Sequence, residues 1–280
     1  MNYIIPTDIT TKEDLFKYLK DNKSLVMQQK KSAIKECDGF SYVVPFYDNK
    51  EDFETKEIGA TVGIDANHVQ LKFVGNTTNL MDSHDDMHVP KLWNKTVSDN
   101  PHFLHLQEHK MDFDKVIHDQ MIATVKTVSW KSLKCNYEGN TQALFGNSLA
   151  PIDRNPYMID QYRKGYVNNH SVGMRYKSIL MCINSDEKYY KEEKEYWDKY
   201  YPMMANKQVA DEKGYFFAVL EAELIEISAV VKGSNVVTPT VSVTESKGAV
   251  IDTPTDIEPT IKVTQTIDFA KLAKAKLYNN

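Results

Sequence analysis

The chain has 280 residues, 41% hydrophobic and 11% aromatic, with a formal net charge of −5. That length and composition allow one large domain or two small ones with a real core, and the acidic balance argues against a general nucleic-acid binder, which would carry a basic face. Three widely spaced cysteines, Cys37, Cys135 and Cys182, with no CxxC pair, read as reduced thiols rather than a disulfide framework. No apolar run approaches the ~18–20 residues of a membrane span. Met1-Asn2-Tyr3-Ile4-Ile5-Pro6 lacks the basic region and apolar stretch of a secretory signal. The expectation is a soluble protein made and kept inside a cell.

In chain order, residues 8–36 predict two helices. Thr11 is placed to cap the first, with Asp14 three positions on, and Leu15, Phe16 and Leu19 give helical spacing. Asp38-Gly39 would end the second. Residues 40–46, 58–64 and 69–74 are short β-branched or aromatic runs bounded by Asp, Asn and Gly, the pattern of strands. Residues 116–130 predict a strand pair, and 141–165 one or two helices, with Pro156 in a first turn and Gly165 just past an end. A long strand is expected over 170–183, a solvated amphipathic helix over 186–201, and the clearest strand over 214–231. Beyond Gly233 the composition turns to Thr, Val, Ser and Pro, read as linker over 234–266, followed by a short helix over 269–278; the domain boundary is set near 235.

Two segments carry chemistry. In Asn169-His170-Ser171-Val172-Gly173-Met174, neighbouring side chains of a strand point to opposite faces. His170 therefore cannot serve as the base for Ser171, and a base must come from elsewhere. Gly173 shares the face of Ser171 and leaves room for a substrate backbone. In the later strand, Glu221 and Glu223 alternate with Ala222 and Leu224, and a strict period of two puts Glu226 on the inward face. An unpaired carboxylate there costs several kcal/mol, so it needs a partner such as a catalytic histidine. The alternative is a bulge that changes its face. His105-Leu106-Gln107-Glu108-His109 matches the H-x-x-E-H zinc pattern, but only a helix brings both imidazoles together; on a strand they lie about 13 Å apart. His84-Asp85-Asp86-Met87-His88 also looks metal-like, though such polar runs are usually loops.

Taken together, these segments resemble the prohead (capsid maturation) proteases of tailed bacteriophages, the HK97-type serine peptidases. Met81-Asp82-Ser83-His84-Asp85-Asp86-Met87-His88-Val89-Pro90 is similar to the family's D-x-x-x-D-x-x-x-P block. Phe103 to His109 is similar to its apolar strand ending in the catalytic histidine, and Gly165 to Met174 to its Gly, spacer and Ser-(Ile/Val)-Gly. Glu223-Leu224-Ile225-Glu226-Ile227-Ser228-Ala229-Val230 is similar to its L-x-E-(I/V)-S-x-V strand. The order His, Ser, Glu is the family order, and the likeness spans residues 56–238; the turn after His109 lacks the family's Pro-Ile-Gly.

The resemblance implies an α+β fold: a mostly antiparallel closed β-barrel with peripheral helices, similar to herpesvirus assemblin. The protease domain would span 39–235 with a helical insertion at 184–213, between an N-terminal helical extension at 1–38 and a flexible tail at 236–280. It implies a serine endopeptidase with Ser171 as nucleophile, His109 as base and Glu226 as orienting acid, His105 being the second choice of base. Backbone amides near Gly173, or Arg175, would stabilise the oxyanion; Arg175 also suits an ordinary surface arginine. No cofactor or metal is called for. The implied substrates are phage scaffold, the major capsid protein and the protease itself, within the procapsid in the bacterial host cytoplasm, with no nucleic-acid or membrane partner. Two further readings stay open: a non-enzymatic head-assembly protein retaining the fold, and a zinc hydrolase using His105, Glu108 and His109.

Overall fold

Runs of β-branched and aromatic residues recur between positions 68 and 246, and they form long strands there. The computed structural model describes residues 5–6, 9–32 and 64–246. The strands expected at 40–46 and, but for residue 64, at 58–64, the helix end at Asp38-Gly39 and the helix at 269–278 lie outside the described residues. Eight strands form one sheet: β1 (His68–Thr77), β2 (Asp86–His88), β3 (His102–Gln107), β4 (Val116–Ser129), β5 (Asn140–Pro151), β6 (Asn169–Ile183), β7 (Tyr215–Val230) and β8 (Thr240–Glu245). Their order is β2-β7-β3-β4-β5-β1-β8, with β6 also paired to β7. Pairing is antiparallel except where β2 and β3 run parallel to β7. The chain is therefore α+β with a mixed, mostly antiparallel sheet.

Hydrogen-bonded strands do not complete the closed barrel: among the described residues, no ladder joins β6 to β8 or β1. The gap is spanned by the Thr/Pro-rich stretch just before β8. Val74 donates its N–H to the Pro239 carbonyl (2.9 Å), the His170 N–H reaches Thr238 Oγ1 (3.1 Å) and Thr240 Oγ1 donates to the Val167 carbonyl (2.6 Å). The boundary expected near 235 is thus too early: Asn235, Val237, Thr238 and Thr240 are buried, β8 pairs with β1, and the compact unit runs to Ser246. Hydroxyl side chains that read as linker instead satisfy backbone groups of the sheet.

Two other expectations change. Residues 116–129 are one long strand rather than a pair. Residues 140–151 are strand β5 rather than helix. Both faces of β5 are buried, so its apolar residues run together instead of alternating, and a two-sided strand imitates a helical spacing. Gly146 fixes the close packing there, since a Cβ would sit 2.3 Å from the Phe73 ring.

The helices are α1 (Lys12–Asp21), α2 (Lys23–Ser32), α3 (Asn94–Asp99), α4 (Pro156–Arg163), α5 (Lys191–Tyr200) and α6 (Lys207–Lys213). Thr11 caps α1 as expected, its Oγ1 accepting from the Asp14 N–H at 3.1 Å. Pro156 opens α4 under an Asn155 cap, and Gly165 follows its end at φ 70°. α5 and α6 account for the 184–213 insertion, with Trp197, Tyr200 and Ala210 packed on Phe216 and Ala218 of β7.

The N-terminal helices are anchored by a buried charge. Lys30 of α2, 3% exposed, pairs with the fully buried Asp86 (2.6 Å), donates to the His84 carbonyl (2.9 Å) and lies over the Phe217 ring. Asp86 also accepts from Tyr176 Oη at 2.8 Å. Removing one member of such a pair strands the other charge in a dry site. Lys30→Ala is therefore expected to cost about 3–5 kcal/mol of unfolding free energy. Pairing it with Asp86→Asn should restore part of the loss, read from urea midpoints of the two variants.

Candidate active site

β7 lies between β3 and β6, and its two faces carry different chemistry. In the ladders, Glu226 lies beside Leu104 of β3 and Gly173 of β6, and Ser228 beside Leu106 and Ser171. Ser171, Gly173, Glu226 and Ser228 therefore share one face. His105, His170, Val172 and Ile227 share the other, which faces the main core.

Glu226 reaches its face by an irregularity. Between Gly173 and Met174 the partners step from Glu226 to Leu224, so Ile225 is an extra, bulged residue. The strict alternation expected from Glu221 and Glu223 breaks there. Glu226 lands on the same face as Glu223, not with Leu224, yet it is only 2% exposed. Its burial comes from what covers it, not from the core face.

That cover is His109. The Gln107–Lys110 turn after β3 is closed by the Lys110 N–H to the Gln107 carbonyl (3.1 Å), with positive φ at both central residues, Glu108 (51°) and His109 (58°), as in a type I′ turn. Non-glycine residues there cost roughly 1–2 kcal/mol each. Three bonds hold the turn: Glu108 N–H to the Ala229 carbonyl (2.9 Å), His109 N–H to Ser228 Oγ (3.0 Å) and His109 Nδ1 to Glu226 Oε1 (2.6 Å). Ser228 Oγ donates in turn to Glu226 Oε2 at 2.5 Å. Both carboxylate oxygens are thus engaged.

A carboxylate can only accept, so Nδ1 of His109 carries the proton, and the neutral imidazole presents a lone pair at Nε2. Nε2 is buried and has no hydrogen-bond partner. Ser171, 6% exposed, sits on the neighbouring strand directly across from Ser228, whose Oγ holds the His109 backbone. Such opposed side chains have Cβ atoms about 4.5–5.5 Å apart. Serine, imidazole and carboxylate are brought to one face, and the hydrogen bond from Ser171 to Nε2 is not formed in this conformation.

The space at Gly173 belongs to the acid rather than to a substrate backbone. A Cβ built there would sit 2.1 Å from Glu226 Oε1. Arg175, two residues further on, is exposed and pairs with Glu223 at 3.3 Å. Ser228, quoted in the sequence as part of the Glu226 motif but given no role there, bonds both the acid and the His109 backbone. Its signal was the Glu-Ile-Ser spacing, which puts a hydroxyl two residues from the acid on one face.

His105 fails as a second base. It is fully buried on the opposite face of the sheet from Glu226, bonded through Nδ1 to Ser148 Oγ (3.1 Å) and through Nε2 to Tyr162 Oη (3.0 Å). The same geometry overturns the zinc reading: His105 lies on a strand and His109 in the turn beyond it, their imidazoles committed to opposite faces. The Asp82–His88 block is a tight turn leading into β2, with its polar groups bonded to backbone and to other side chains. Asp82 Oδ1 accepts the N–H groups of His84 and Asp86, Asp85 binds Tyr215 Oη and Lys213, and His88 binds Asn76. Among the described residues, no group of three or more His, Cys, Asp or Glu is arranged to hold a metal.

Burial holds the pKa of His105 well below the usual imidazole value and that of His170 at about 4. A group held neutral by folding destabilises the fold once protons are available to the unfolded chain, so stability is complete above about pH 6.5 and falls as pH drops toward 4. His170 alone should account for about 3 kcal/mol of that fall, visible as a drop in urea midpoint between pH 7 and 4.5 that is smaller in His170→Gln. Gly173→Ala should cost about 1–3 kcal/mol through overpacking and break the His109–Glu226 contact, seen as loss of the downfield His109 Nδ1 proton resonance. No family model matches the chain, and no curated protein or solved structure matches it either.

Proposed function

We propose that the chain is a serine endopeptidase of the prohead-protease type, with Ser171 as nucleophile, His109 as general base and Glu226 as the orienting acid. The observation that carries this reading is the His109–Glu226 contact at 2.6 Å with Nε2 left as a buried, unpartnered acceptor on the face of Ser171. His105 and His170 have both ring nitrogens satisfied; Nδ1 of His118 is, like His109 Nε2, buried without a hydrogen bond, so what sets His109 apart is the carboxylate on its other nitrogen and the serine on its face.

In this reading Ser171 Oγ attacks the scissile carbonyl as its proton passes to Nε2, and the imidazolium returns that proton to the leaving amine. Glu226 stabilises the imidazolium, and Ser228 holds the second carboxylate oxygen, so the acid keeps its orientation. Backbone amides near Gly173 supply the oxyanion donors; Arg175 joins them only by leaving Glu223. Beside the turn, a cleft of about 120 Å³ between Glu108, Tyr157, Met158, Tyr166 and Val230 offers apolar space to a substrate side chain.

The substrates in this reading are scaffold and capsid-protein segments and the chain itself, cut inside the procapsid. The mixed, mostly antiparallel sheet supports this reading at the level of architecture, and its closure into a barrel remains part of the proposal. No helix among the described residues is long and apolar enough to cross a membrane.

Incubated with scaffold protein, the wild type should cleave it and react with a fluorophosphonate probe at Ser171. Ser171→Ala should abolish both, and His109→Ala or Glu226→Gln should slow cleavage about 10⁴-fold. Chelators should leave the rate unchanged. Undiminished cleavage by Ser171→Ala removes the serine from the mechanism, and a wild type that neither cleaves nor reacts with the probe favours a non-enzymatic role in head assembly.

A further inference from the structure

Behind the candidate site, on the core face, four side chains and a carbonyl form one continuous row. Ser148 Oγ lies 3.1 Å from His105 Nδ1, His105 Nε2 lies 3.0 Å from Tyr162 Oη, Tyr162 Oη lies 2.8 Å from His170 Nε2, and His170 Nδ1 lies 3.0 Å from the Thr238 carbonyl. All four side chains are buried, and Phe73 stacks flat on His170 with ring centroids 4.1 Å apart.

The protons in this row have one arrangement. A carbonyl only accepts, so His170 carries its proton on Nδ1, and its Nε2 must accept. Tyr162 has one hydroxyl proton and gives it to His170. The phenol oxygen then accepts from His105 Nε2–H, and His105 Nδ1 accepts from Ser148. Every group is satisfied only while both imidazoles are neutral, and burial keeps them so.

The row's position gives it a consequence. His105 lies four residues before His109 on β3, and His170 immediately precedes Ser171 on β6; these are the two strands flanking β7. Among the described residues no backbone ladder joins β3 to β6 directly; both pair with β7, and Tyr162 of α4 adds a side-chain link between them across the back of β7.

We infer that Tyr162 is a positioning residue: by tying the strand that delivers the base to the strand that delivers the nucleophile, it sets the spacing between His109 and Ser171. This inference rests on the serine-hydrolase reading. A misplacement of about 1 Å between reacting groups can cost about 100-fold in rate, and this site leaves its final hydrogen bond to be made.

The test is Tyr162→Phe in the full chain, an isosteric change that deletes only the hydroxyl. The rate of fluorophosphonate reaction at Ser171, per folded molecule, is measured from pH 5 to 9 well below the melting temperature. The plateau rate should fall about 10- to 100-fold, while the inflection set by His109 stays in place because the Glu226 contact is untouched. A purely structural role would lower the melting temperature and leave the plateau alone. Ser148→Ala, which cuts the row at its far end, should lower the plateau by a smaller factor and serves if Tyr162→Phe does not fold. Wild-type reactivity with unchanged plateaus in these variants overturns the positioning role and keeps the hydrolase reading. A wild type that does not react overturns the hydrolase reading and the positioning role with it. Imidazole nitrogen spectra of the wild type should show His170 protonated at Nδ1 and His105 at Nε2; the opposite tautomer in either ring overturns the row.

Discussion

The arrangement depends on one buried carboxylate. Glu226 sits at 2% exposure with no lysine or arginine paired to it; its oxygens are taken by His109 Nδ1 and Ser228 Oγ. A desolvated charge is tolerable only when its lone pairs are met by donors of good geometry. The rest of the site follows from that need. Gly173 must lack a side chain so that the acid can lie against β6. Ser228 must be a hydroxyl that accepts from the turn and donates to the acid. Glu108 and His109 are held in left-handed conformations because the bonds to Ala229, Ser228 and Glu226 outweigh the local cost.

The same need explains why the two histidines four residues apart have such different fates. On β3 the side chains alternate, so His105 is directed to the core, where Ser148 and Tyr162 satisfy both ring nitrogens. After β3 the turn reverses the chain, and His109 comes to the Glu226 face with one nitrogen committed and one left over. Nε2 of His109 is buried without a hydrogen bond, and in the proposed reading proton transfer from Ser171 gives it a role.

The long central strands β6 and β7 and the helices α1 and α4 were legible in the sequence because each follows a local rule: apolar period, a Thr cap on α1, Pro in the first turn of α4 and Gly past its end. Ser171, His109 and Glu226 were singled out by residue type and chain order, and they lie on one face. What was not legible was set by contacts between distant segments. The face of Glu226 turns on the bulge at Ile225, which arises from register with β6 and leaves no mark in the local alternation. β5 lies inside the sheet between β1 and β4 and is buried on both faces, so its composition hid its period. Residues 235–245 read as linker because threonine and proline usually do; here the threonines satisfy strands that lie far away in the chain.

Packing and chemistry divide cleanly across β7. On one face Phe73 stacks flat on His170 and lies tilted against His105, and each polar atom in the row has its partner. In the proposed reading the other face carries the groups that change partners during the reaction. A serine hydroxyl can swing among three staggered rotamers at little cost, whereas a strand fixed by neighbours on both sides cannot move to meet it. The final approach of Ser171 to His109 therefore falls to side-chain rotation on a backbone whose position is set from behind. In the proposed reading the buried polar row is part of the same device as the Ser171–His109–Glu226 face, although no atom of the row faces the acid.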